Sequence, residues 1–284
     1  MNARIRHLAP TLGLVPFLAY LTVFLLIPTI AVLVGAFSDN GSPSLTNIRA
    51  LGGSDVLRTL WRSILLSGST AVIGAVIGAL LAYAVVTGAP DGMLRRMVTS
   101  ASGVLAQFGG VTLAFAFIAT IGFSGLITQV ARDSFGIDLY GNAWLFGLPG
   151  LILVYTYFQI PLMVIVFLPS LDGMRSQWRE AAESLGATTW QFWRYVAGPL
   201  LFPAFLGSML LLFANAFAAY ATAAALVTQG SPILPLFIRS ALTSEILLGR
   251  ENLAYALALD MIVVVAVVMG AYALLIRRTS RWLQ

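Results

Sequence analysis

Six apolar stretches, each long enough to cross a bilayer, leave this chain few ways to fold. They run over about 11–37, 62–87, 97–121, 148–170, 199–223 and 251–276. A helix of about 20 predominantly apolar residues covers the hydrocarbon core. The expected fold is therefore an all-α membrane protein with six transmembrane helices, the whole of 1–284 forming a single transmembrane domain. Composition agrees: 59% of residues are hydrophobic and 10% charged, against about a quarter charged in soluble chains. The first stretch is too long for a signal-peptide core and is read as a retained helix. Its Pro16 and Pro28 suit helix ends or a kink.

What is missing excludes several chemistries. There are no cysteines and a single histidine, His7, so disulfides, thiolate sites and two-histidine metal sites cannot be built. Every one of the 16 Lys+Arg residues is arginine. A Walker A phosphate loop needs its lysine, so any ATP and its magnesium would be bound by another chain, and no cofactor or metal is expected in this one. An intramembrane enzyme would need paired catalytic groups at membrane depth, and these residues do not supply them. The net charge of +5 is read as topology-setting charge and not as a nucleic-acid footprint, because the arginines flank the apolar stretches.

Those arginines orient the chain. Arg4, Arg6, Arg95, Arg96, Arg175, Arg179, Arg194, Arg277, Arg278 and Arg281 fall on one side. Arg49, Arg58, Arg62, Arg132, Arg239 and Arg250 fall on the other. Positive charge concentrates on the cytoplasmic face, so both termini and the loop at about 171–198 are expected there, with Trp282 as an interfacial anchor. The loops at 122–147 and 224–250 carry apolar runs too short to span, such as Ile233 to Leu242, expected as short helices along the outer face or as segments dipping partway in.

The 171–198 loop is the most informative segment. Met174, Trp178, Ala181, Ala182 and Leu185 recur three or four apart, the pattern of one helix face. Gly186 can end that helix in the left-handed conformation. Thr188 and Gln191 have capping-box spacing for a second helix through Trp190 and Trp193. Ala181, Ala182, Gly186 and Ala187 leave the elbow without bulk. Periodicity alone leaves two readings open, a docking elbow for a cytosolic partner or an amphipathic helix on the lipid surface.

The run Glu180-Ala181-Ala182, then Gly186, then Pro199 resembles the EAA loop of ABC importer permeases of type I, and the six spans extend the likeness over nearly the whole chain. Val196 stands where that family usually has isoleucine, Gly198 replaces the usual leucine before the proline, and Leu185 replaces a common aspartate. The resemblance implies a transport subunit, not an enzyme, in the bacterial plasma (inner) membrane, a setting that the lysine-free, alanine-rich composition also suggests. It implies two cytoplasmic ATPase subunits as partners, a second related permease and an extracytoplasmic substrate-binding protein. Glu180, Ala181, Ala182, Gly186, Ala187, Trp190 and Pro199 would then form the ATPase-coupling surface. The segment Asn252 to Leu257, with Arg277 and Arg278, looks most like permeases of spermidine/putrescine-type importers, a branch that also includes ferric iron, thiamine and phosphonate systems. A polyamine-like cation is the expected solute, with those solutes or a sugar as alternatives. A stand-alone secondary transporter or channel is a distant alternative.

Polar residues inside spans mark either helix packing or a path. Asp260, Asn215, Gln159 and Gln107 are the candidates for the translocation path, each weighed against an interhelical role. Pro161, two residues after Gln159, frees a backbone carbonyl one turn earlier. Gly74 and Gly78 have the spacing that lets two helix backbones meet.

Overall fold

The computed structural model describes residues 14–39, 41–89, 92–138, 140–227, 233–243 and 251–280. Arg4, Arg6, His7, Arg250, Arg281 and Trp282 lie outside the described residues, as do positions 11–13 of the first expected span. The chain is helical nearly throughout. Helix α1 covers Leu14–Ala36 and contains one wide π turn at Thr22–Leu26. A hairpin of β1 (Ser38–Asp39) and β2 (Ser42–Pro43) turns through Gly41 at φ +80°, a conformation glycine adopts without strain. There follow α2 (Thr46–Ala50), α3 (Ser54–Thr87), α4 (Met93–Gln107), α5 (Gly110–Ile121), α6 (Leu126–Phe135) and α7 (Leu148–Asp172). The remaining helices are α8 (Ser176–Ser184), α9 (Thr189–Phe192), α10 (Gly198–Ala218), α11 (Ala221–Leu226), α12 (Leu234–Thr243) and α13 (Glu251–Ser280).

Six helical stretches among the described residues are long and apolar enough to cross a membrane. Five of them overlay the expected spans. The third differs: the crossing stretch is Gly110–Phe135, where the sequence suggested 97–121. The reason is a break at Phe108–Gly109. Gly109 is extended, Gly110 takes φ +70°, and the chain restarts as α5. The fifth span also stops short of its expected end at 223. Helix α10 ends at Ala218, and a non-helical Ala219–Tyr220 precedes α11.

The chain divides into two compact units. The first comprises Met1–Leu57 with Phe237–Val264. In it Gly35 of α1 meets Tyr255 of α13, a Cβ at Gly35 falling 2.5 Å from the ring. Asn47 donates to the Ser38 carbonyl at 2.9 Å and ties α2 to the hairpin. Large apolar side chains along α1, such as Phe17, Tyr20 and Phe24, stay exposed. That suits a helix facing lipid, where exposure of apolar surface carries no penalty.

The second unit comprises Arg58–Leu236 with Val265–Gln284. Its centre is α7, which is apolar on all sides and buries Leu151, Val154, Tyr155, Phe158, Met163 and Phe167. Helices of that kind sit inside a bundle. Pro161 and Pro169 lie within α7 without ending it. Gly74 and Gly78 of α3 seat directly on α7: a Cβ at Gly74 would lie 2.6 Å from Gln159 Cβ, and one at Gly78 would lie 2.5 Å from Met163 Cβ. Tyr272 of α13 donates to the Pro203 carbonyl of α10 at 3.1 Å, with its hydroxyl over Gly207. Arg95 of α4 pairs with Asp172 at the end of α7.

Candidate functional site

The expected elbow is present as two short helices and a tight turn, and its geometry follows from local chemistry. Helix α8 ends in a full Schellman motif. Gly186, at φ +77°, donates to the Glu183 carbonyl at 2.9 Å, and Ala187 donates to the Ala182 carbonyl at 3.0 Å. Thr188 then opens α9 with a reciprocal capping box: the Gln191 N–H donates to the Thr188 hydroxyl at 3.3 Å, and the Thr188 N–H donates to Gln191 Oε1 at 2.7 Å. Arg179 and Glu183 pair one turn apart along α8 at 2.9 Å.

A small core holds the elbow shut. Ala182, Phe192 and Ala197 are buried, with Met174, Ala187, Trp193 and Val196 packed on them. Trp193 also meets Tyr83 of α3 edge to face at 5.1 Å. The outer surface is the opposite of what water favours. Leu185 is 87% exposed, Trp190 71% and Tyr195 70%. Leu185 and Tyr195 line a recess of about 340 Å³ together with Ala182, Ala187 and Phe192. An exposed patch of this kind marks an interaction surface. Of the residues singled out from sequence, Glu180, Ala181, Gly186, Trp190 and Pro199 are exposed, Ala187 is half-buried and Ala182 is buried.

Pro199, the first residue of the fifth expected span, does not begin a new helix. The helix runs from Thr189 through a wide turn at Trp193–Ala197 into α10, and Pro199 lies inside it. Proline lacks the N–H for the bond four residues back and crowds that carbonyl. The Gly198 N–H instead reaches the Trp193 carbonyl five residues back, the π pattern that absorbs such a misfit. The second helix of the elbow and the fifth span are thus one element.

The four polar candidates are not gathered in one place. Gln159 is fully buried against Gly74 and donates to the Leu212 carbonyl of α10 at 2.7 Å, which is an interhelical position. Gln107 is exposed at the last residue of α4. Asn215 is exposed and lines a cavity of about 220 Å³ with Gly109, Gly110 and Phe158. Asp260 belongs to the other unit, where it is half-buried and its Oδ2 has no hydrogen-bond partner among the described residues. The sequence reading missed Tyr155 and Thr222. Tyr155 donates to the Ala219 carbonyl at 2.7 Å, and the Thr222 hydroxyl accepts from the Gly110 N–H at 2.9 Å. Their partners are 64 and 112 residues away, and the paired glycines at 109–110 were the one local hint.

Comparison with known proteins decides the family. Residues 112–281 match the family described as binding-protein-dependent transport system inner membrane component. The chain belongs to this family. As a member it is a multi-pass inner-membrane protein, in line with the six helices among the described residues that are long and apolar enough to cross a membrane. Among its relatives, a sulfate transport system permease protein of Escherichia coli is 28% identical over 192 residues, 68% of this chain and 62% of that protein. A ferric transport system permease protein of Actinobacillus pleuropneumoniae is 26% identical over 202 residues, 69% of this chain and 28% of that protein. The chain therefore spans less than two thirds of the length of these relatives. A solved bacterial ABC transporter involved in alginate import shares the fold over 96% of both chains, with a TM-score of 0.79 at 17% identity.

Proposed function

We propose that this permease forms half of the translocation path of an ATP-driven importer, and that the elbow at 174–198 docks into a groove of a separate cytoplasmic ATPase. The observation that carries the reading is the elbow itself. Two caps lock it, a small core braces it, and Leu185, Trp190 and Tyr195 are left exposed on its outer surface. Trp and Tyr recur as anchors of protein interfaces. Because the second helix continues into α10, force applied at the elbow acts on a membrane span directly. Its partners are two such ATPases, a second related permease and a binding protein that delivers the solute. ATP and magnesium belong to the ATPase, with both termini of this chain on its side of the membrane.

For the solute, two relatives are named for sulfate and for ferric transport, solutes of opposite charge. They give no preference to the polyamine-like cation suggested by the tail and by Asp260. The reading that fits both is a small hydrophilic solute selected mainly by the binding protein.

The test is co-purification with the ATPase encoded beside it, followed by binding-protein-stimulated ATP hydrolysis. Gly186→Arg places bulk and charge at the turn, and Trp190→Ala removes an exposed anchor without straining the backbone. Both should lose assembly or lose stimulation. If both variants assemble and are stimulated like wild type, the elbow is not the docking surface, and the lipid-surface reading replaces it.

A further inference from the structure

Next to the elbow, α3, α7, α10 and the wide turn before α10 surround an apolar groove of about 460 Å³. Ala79 and Gly198 leave its space open, and buried Phe167 and Leu201 back it. Leu80 and Phe202 line its open side, 64% and 57% exposed. The lining side chains with hydrogen-bonding atoms are Tyr83 and Trp193, which meet edge to face at 5.1 Å at the elbow end. At the same end stands Arg194, four residues before Gly198 and so close to the same helix face. It is exposed and has no carboxylate partner among the described residues.

The order along this face is charge, aromatic pair, hydrocarbon. The rise from Arg194 to Phe205 is about 16 Å at 1.5 Å per helical residue, about half of the hydrocarbon core of about 30 Å. The groove thus occupies one leaflet, with Trp193 and Tyr83 at the level where such rings gather between lipid and water. A hydrophilic solute would lose its hydrogen bonds among these walls. An apolar helix could fill the groove but would leave Arg194 without a counter-charge. A lipid supplies both the chain and the charge.

We infer that this groove binds one anionic phospholipid of the cytoplasmic leaflet, with its phosphate on Arg194 and an acyl chain along Ala79, Gly198 and Phe205. The leaflet follows from the placement of the elbow, so the inference rests on the permease reading above. Basic side chains at the cytoplasmic ends of membrane helices attract anionic headgroups. Phosphatidylcholine carries the same phosphate with a cancelling cation, and the arginine therefore distinguishes the two.

The test uses the whole complex in phosphatidylcholine nanodiscs carrying a trace of phosphatidylglycerol or of phosphatidylcholine with a photoreactive diazirine on the acyl chain. Adducts on Val76–Tyr83 and Gly198–Phe205 are quantified by peptide mass spectrometry against adducts on the whole chain. One arginine near the surface is worth a preference of about fivefold for an anionic lipid, so these segments should take about fivefold more phosphatidylglycerol. Arg194→Gln should bring the two lipids to parity. Ala79→Leu fills the groove without touching the charge and should lower labelling by both. Should Arg194→Gln fail to assemble, the wild-type ratio and Ala79→Leu, which lies outside the elbow, still decide. Equal labelling by the two lipids in wild type, a preference that survives Arg194→Gln, or labelling unchanged by Ala79→Leu overturns the inference. So does a groove labelled in this chain alone but shielded in the complex, since a partner subunit then covers it. Binding-protein-stimulated ATP hydrolysis is measured in the same nanodiscs. Its absence in wild type sinks the permease reading; its presence with an unlabelled groove sinks only the lipid site.

Discussion

Three glycines on α3 make opposite predictions for the same substitution. At Gly78 a built Cβ lies 2.5 Å from Met163 Cβ and 2.7 Å from the Ile160 carbonyl oxygen; at Gly74 it lies 2.6 Å from Gln159 Cβ. At Gly68 nothing lies within 4 Å. The atoms met at 74 and 78 are a Cβ and a backbone oxygen, which no rotamer change can withdraw, so α3 and α7 must separate. Overpacking of this kind costs about 1–3 kcal/mol, and the lack of a flexible neighbour puts these sites near the upper end. Against that, alanine in a helix interior gains about 1 kcal/mol over glycine. Gly78→Ala should thus destabilise by about 1–2 kcal/mol, whereas Gly68→Ala should stabilise by up to about 1 kcal/mol. Equilibrium unfolding of the purified subunit in mixed micelles, followed by tryptophan fluorescence, reads the difference. Should Gly78→Ala and Gly68→Ala agree within about 0.5 kcal/mol, the ordinary scatter of uninvolved sites, the α3–α7 contact drawn here is wrong.

Two further outcomes follow from single hydrogen bonds. Tyr155→Phe strips the half-buried Ala219 carbonyl of its donor; an unsatisfied buried group costs about 1–3 kcal/mol, and partial burial puts this one near the lower end, so an unfolding midpoint equal to wild type would refute the pinning of that break. Between α6 and α7, the Arg132 guanidinium at 3.1 Å and the Tyr140 N–H at 3.2 Å hold the Asp138 carboxyl below the usual carboxylate range. A depressed folded pKa means its contribution is fully present above that range and is lost as pH falls through the folded value. The gap in thermal midpoint between wild type and Asp138→Asn should therefore be flat near neutrality and close on acidification; a gap that widens in acid contradicts the assignment.

What could be read from the sequence was what is written locally. Gly186 after an amphipathic run, and Thr188 three residues before Gln191, encode the elbow within a dozen residues, and the structure makes each of those bonds. The spans were legible because hydropathy sums over 20 residues, and for the same reason it passed over the breaks inside them. The break at Ala219–Tyr220 has no glycine or proline to announce it. It is held by Tyr155 and Thr222 through contacts distant in sequence. Gln159 was equally ambiguous until Gly74 was seen packed against it.

The elbow and the cavity are also joined by one helix. From Thr189 the chain stays helical to Ala218, about 45 Å at 1.5 Å per residue. The elbow core holds one end, and the other stops at the carbonyl pinned by Tyr155. The wide turn ending at Ala197 and the two prolines, Pro199 and Pro203, all lie in the half nearer the elbow. Bending should concentrate there, because those are the places where the regular hydrogen-bond ladder is broken. The half nearer the cavity contains no proline and is clamped by α7, through Gln159 to the Leu212 carbonyl and Tyr155 to the Ala219 carbonyl. A pull at the elbow would then tilt a stiff rod about its proline-rich base, moving Asn215 and the Ala219 break as one body.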